Sequence, residues 1–151
     1  MLHASRLTSR KITRRLQLIR PLIYRRQQPL PDFRFLELPG PEKTPYVQPE
    51  VDDSDWTVIP ANSYWAGRLT NFVLRTQFAL PEGWTTDAPV MLYLPLGEPG
   101  DFSHPEALMY IDGEPYAACD RHHQEVRLSE RWLDGATHTL ALHGWTGFHA
   151  P

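Results

Sequence analysis

The densest set of side chains able to do chemistry is Asp120-Arg121-His122-His123-Gln124-Glu125. Two carboxylates and two imidazoles this close could hydrogen-bond sugar hydroxyls or hold a metal ion. The spacing argues against the metal. Neighbouring residues of an extended segment point to opposite faces, so His122 and His123 cannot easily share one ion. The competing reading is a polar turn in which Asp120 and Glu125 satisfy backbone donors and nearby imidazoles. Asp120, His122, His123 and Glu125 are therefore the candidate sugar contacts or active-site rim, with the polar turn as the alternative.

Other carboxylates cluster in Asp52-Asp53-Ser54-Asp55 and from Glu98 to Asp101. Acidic loop runs are usually solvated surface. A glycosidase needs two carboxyls roughly 5 to 10 Å apart across a sugar site, and no such pair is legible here. The sequence also lacks a Gly-rich phosphate loop, a G-x-S-x-G elbow and a His-Glu-x-x-His helix. Aromatic faces offer another route to sugars, and Trp65, Trp84, Trp132 and Trp145 lie in or beside expected loops. Large aromatics also fill sandwich cores, which is the better expectation for each of them. One cysteine, Cys119, excludes an internal disulfide and a thiolate zinc cluster, and favours a reducing, cytoplasmic setting.

The elements that must position these groups read as short strands from Trp56 onward. Trp56 to Ile59 stops at Pro60, and Asn71 to Phe78 alternates Phe72, Leu74, Thr76 and Phe78 before Pro81. Val90 to Leu94 is continuously apolar, as for a strand covered on both faces. Ala107 to Ile111 and Tyr116 to Cys119 flank Asp112-Gly113, the signature of a tight hairpin. Glu125 to Leu128 and Thr137 to His143 alternate again. Six or more strands with turns at close intervals make a sandwich.

Two leading segments differ in kind. Residues 1–26 hold eight basic residues and no acid; from Asp32 onward seven bases face eighteen acids, a net of −11 within an overall −3. Ile12, Leu16, Ile19 and Ile23 follow helical spacing and form a narrow apolar stripe, with Thr8 or Ser9 as a cap and Pro21 ending or kinking the helix near Arg20. The stripe is expected to dock on a neighbouring domain or subunit, ahead of the membrane, nucleic-acid and mitochondrial-transit readings that a basic amphipathic arm also permits. Residues 27–50 carry six prolines, a density that excludes a helix interior or central strand, and read as a linker or wrap tacked down by Phe33, Phe35, Leu36 and Leu38. The expected organisation is a basic helix arm (1–26), a Pro-rich linker (27–50) and a β-sandwich (51–151). No run approaches the ~20 apolar residues of a membrane span.

Asp52-Asp-Ser-Asp-Trp56-Thr-Val-Ile-Pro60 resembles the opening strand of the galactose-binding-like jelly rolls of several glycoside hydrolases. The ordered set Asn71 to Pro81, Glu106 to Tyr116, Cys119 to Leu128 and Leu140 to Trp145 is similar to the N-terminal region of family 38 α-mannosidases of the cytosolic and bacterial type. That resemblance implies a mainly β, jelly-roll-like β-sandwich preceded by a basic helix and a Pro-rich wrapping segment. It also implies a non-catalytic fragment of a zinc-dependent retaining mannosidase. The zinc and the nucleophile would belong to a following catalytic domain, with no cofactor in this chain. The chain stops at Trp145-Thr-Gly-Phe-His-Ala-Pro151, where that family leads onward. Expected partners are that domain or a sister subunit, and carbohydrate, with neither nucleic acid nor membrane. The alternatives are a stand-alone carbohydrate-binding module or the sugar-binding domain of a β-galactosidase-like enzyme.

Overall fold

A computed structural model describes residues 8–97 and 105–147. Ser5, Arg6, the Glu98 to Asp101 carboxylates and residues 148–151 lie outside them. The chain is mainly β: one N-terminal helix precedes an antiparallel sandwich.

Helix α1 spans Thr8–Ile23. Thr8 and Ser9 stand in its first turn rather than before it, and the helix continues three residues past Arg20. Pro21 sits in the last turn, where the lost N–H interrupts only the end of the hydrogen-bond ladder.

The strands are β1 (Phe33–Leu38), β2 (Thr57–Ile59), β3 (Asn71–Phe78), β4 (Met91–Tyr93), β5 (Glu106–Ile111), β6 (Glu114–Asp120), β7 (Glu125–Arg127) and β8 (His138–Trp145). Six of them form one sheet in the order β2-β1-β3-β8-β5-β6, and β4 pairs with β7 in a second. Alternation dictates the central strands. Phe72, Leu74 and Phe78 of β3 join Met109 and Ile111 of β5 and Leu140 and Leu142 of β8 in one buried cluster, which Leu92 of β4 and Val126 of β7 complete. Each of these large side chains contributes about 1.5 to 3 kcal/mol on burial. The hairpin between β5 and β6 turns on Asp112 and Gly113, both at positive φ, as a tight primed turn requires. Gly144 lets β8 approach β5, because a Cβ there would lie 2.1 Å from the Glu106 carbonyl oxygen.

The Pro-rich segment corrects the linker expectation. Its prolines leave residues 32–38 free, and that window forms β1, paired with both β2 and β3. Farther on, the segment covers the second face of the large sheet, where Val47, Val73 and Ala141 are buried. Arg75 of β3, only 3% exposed, holds the cover in place. Its guanidinium donates to the carbonyls of Tyr46 (3.1 Å), Gln48 (2.8 Å) and Val51 (3.4 Å), and Nε pairs with Asp53 Oδ2 at 2.8 Å. The ring of Trp56 lies 5.8 Å from the same group. Asp53 is thus a structural counter-ion rather than free acidic surface, and it also faces Arg34 at 3.7 Å.

A second correction concerns β4. Leu92 is buried but Tyr93 is exposed, so only one face is covered. The cause is its pairing with β7 alone, in a two-stranded layer whose outer side meets water.

Candidate functional site

The loop from Asp120 to Glu125 joins β6 to β7, and the chain folds it as a closed polar turn. Asp120 Oδ1 accepts from the backbone N–H of His122 (2.6 Å) and of His123 (2.7 Å), and the carboxylate meets His123 Nδ1 at 2.9 Å. These bonds, that with the His123 ring foremost, hold the Asp120 carboxyl down to about 2. The His122 ring turns to Arg121, whose Nε lies 3.0 Å from its Nε2. Glu125 accepts from the Tyr24 hydroxyl, which raises the tyrosine's pKa. Of the four candidate residues, the fold therefore joins the side chains of Asp120 and His123 and turns the His122 ring and Glu125 to other partners. Beside the loop, Gln124 donates to the Gly97 carbonyl at 2.8 Å. Cys119 is buried beneath it, and burial, then the Asp120 charge, pushes its thiol up to about 11, so it is no nucleophile at neutral pH.

A second polar cluster was not visible in the sequence. His138, at the start of β8, is buried with a carboxylate on each ring nitrogen: Asp112 Oδ2 at 2.7 Å from Nδ1 and Asp134 Oδ1 at 3.1 Å from Nε2. Burial opposes charge on the ring, but the hydrogen bonds and charges of Asp112 and Asp134 outweigh it and raise the His138 pKa. Asp112 Oδ1 also accepts the Thr139 N–H at 2.7 Å, so the unit ties the β5–β6 turn to β8. The residues come from two Asp-Gly turns, Asp112-Gly113 and Asp134-Gly135; the only local signal was the i, i+4 spacing of Asp134 and His138. Trp132 and Phe78 wall the imidazole, at ring separations of 5.1 and 5.5 Å. Both ring nitrogens are taken by carboxylates of the domain itself, which suits structural pairing rather than acid–base catalysis.

The tryptophans divide by environment. Trp65 packs edge-on against Phe72 at 4.7 Å, Trp132 is buried, and Trp145 ends β8 half-buried. Trp84 instead lines a groove of about 440 Å³ at one end of the sandwich. Leu30, Leu80, Val90 and Met91 line it with Trp84, and Glu82 is the one charged group among its described lining residues. Among the described residues no three His, Cys, Asp or Glu side chains are arranged to hold a metal ion. No helix among them is long and apolar enough to cross a membrane.

No family model matches the sequence, and no curated protein matches it. Among solved structures the chain is similar to a β-glucuronidase of Bacteroides uniformis, with 24% identity and a TM-score of 0.55, over 78% of this chain and 14% of that one. A calcium-binding mutant of B. uniformis β-glucuronidase 2 gives 24% identity and a TM-score of 0.54 over the same shares. The chain thus spans about one seventh of either protein, and the likeness is one of fold. It overturns the resemblance to family 38 α-mannosidases, since the structures sharing this sandwich are β-glucuronidases. The physical reason is that alternating strands and Asp-Gly turns are general features of such sandwiches. Those segments do not distinguish one glycosidase from another. The zinc expectation rested on the same resemblance and is not carried forward.

Proposed function

We propose that this chain is a non-catalytic β-sandwich domain of a glycoside hydrolase, supporting a separate catalytic domain. The observation that carries the reading is the fold likeness, in which most of this chain corresponds to a small part of a much larger β-glucuronidase. The polar chemistry agrees. The Asp120 loop and the Asp112–His138–Asp134 unit spend their hydrogen bonds inside the domain, so these carboxylates serve its own backbone and imidazoles. The groove at Trp84 is lined mainly by apolar side chains, with Gln28, Gln77, Thr137 and one carboxylate, Glu82, among them. The second reading, a stand-alone carbohydrate-binding module, draws on Trp84 as a stacking surface.

Two measurements separate these readings. Reading the gene beyond the codon for Pro151 should reveal a frame encoding a glycosidase catalytic domain; an unrelated frame would sink the proposal. Titrating the chain with glucuronides and neutral glycosides should give no saturable heat below about a millimolar, a weak-binding range of about 4 kcal/mol. Sub-millimolar binding lost in Trp84→Ala would establish the binding module instead.

A further inference from the structure

Helix α1 has an apolar face that nothing among the described residues covers. Ile12, Leu16, Ile19 and Ile23 are 52 to 60% exposed, and no residue of the helix is buried. Arg10, Lys11, Arg14, Arg15 and Arg20 stand on the rest of its surface without one acid, beside the exposed Leu18 and Leu22. Beyond the helix the chain is held to the sandwich by the Tyr24–Glu125 contact and by Arg26, whose Nη1 donates to the Gly83 carbonyl at 2.6 Å. Residues 28–31 then line the groove at Trp84. The helix therefore ends beside an apolar groove that it leaves unfilled.

We propose that this groove receives α1 of a second copy of the chain, the two copies exchanging helices about a two-fold axis. Three observations favour this occupant. The stripe is apolar and the groove is lined mainly by apolar side chains, and a volume of about 440 Å³ accepts two or three aliphatic side chains. The loop that supplies Trp84 and Val90 to the groove also carries Glu82 and Asp87 and no base, so its charge is opposite to that of the incoming helix. The body as a whole, from Asp32 onward, carries a net −11 against the arm's eight bases. An anionic bilayer would attract the arm but repel that body, whereas in a paired copy each arm meets the acidic body of the other. A two-fold pairing makes the same contact twice and closes without leaving either stripe exposed.

The inference stands independently of the carbohydrate reading, since oligomeric state and glycan titration are separate observables. The test is sedimentation equilibrium of the full chain at low and at high salt. A dimer is expected, weakened by salt, with its dissociation constant raised at least tenfold in Leu16→Asp/Ile19→Asp and in Leu80→Lys, which places a base in the groove. Circular dichroism on both variants checks that each remains folded. Mixing the two variants provides the decisive arm, because one intact helix and one intact groove then meet. Recovered association of the mixture supports the exchange. A monomer at all concentrations, or a dimer indifferent to both variants, overturns it. So does binding to phosphatidylserine vesicles that Leu16→Asp/Ile19→Asp abolishes while the chain stays monomeric.

Discussion

Arg75 and His138 show how single buried charges organise this domain. Arg75 gathers three backbone carbonyls and Asp53, groups that would otherwise hold the 46–53 stretch only through scattered apolar contacts. Replacing it with methionine keeps the volume and removes every donor. Arg75→Met should cost about 2 to 4 kcal/mol, because several buried carbonyls lose their partners at once. Arg75→Lys should recover little, since an ammonium lacks the planar fork that reaches them. Urea denaturation gives the energy, and limited proteolysis should show earlier cleavage between residues 39 and 56 in both variants. Normal resistance in that stretch would mean that apolar contacts at Val47 suffice.

At the level of elements, the Asp112–His138–Asp134 unit links a hairpin turn to the neighbouring strand and makes that link depend on pH. The folded pKa of His138 is raised by its two carboxylates. Its contribution to stability is therefore complete below the unfolded value of about 6.5 and is lost as pH rises through the higher folded value. The melting temperature should fall across that window. His138→Gln should flatten the alkaline fall and cost about 1 to 3 kcal/mol at pH 6, where the charged ring is fully paired. A variant with the wild-type slope would assign the pH response to other groups. Asp134 works in the opposite sense: the Ala136 N–H and then His138 lower its pKa, so its share is lost only in acid.

For the molecule as a whole, the sandwich and the arm are separable. The core cluster contains no residue of α1, and the Tyr24–Glu125 and Arg26–Gly83 contacts that join arm to body are polar. Deleting residues 1–23 should therefore leave the β-sheet signal intact and move the melting temperature of the monomer by only a few degrees, as expected for a loss of about 1 kcal/mol or less. Collapse of the fold on truncation would show that the helix is integral to it. The low overall charge conceals this division, because the eight bases of the arm offset most of the body's net −11.

Alternation and turn chemistry made much of the sheet legible in the sequence. The span Asn71 to Phe78 is β3 residue for residue, and the Asp112-Gly113 hairpin stands where its turn residues require it. The helical stripe was equally legible, because its period is a local property. Counting prolines across residues 27–50 concealed β1, since a proline-free window of seven residues suffices for a strand once β2 and β3 supply its partners. Tertiary structure alone decided the fate of the polar groups. Asp53 meets Arg75 across 22 residues and Asp112 meets His138 across 26, separations with no periodicity to reveal them. It likewise closed the Asp120 loop on itself, because only the folded backbone shows which N–H groups a carboxylate can reach.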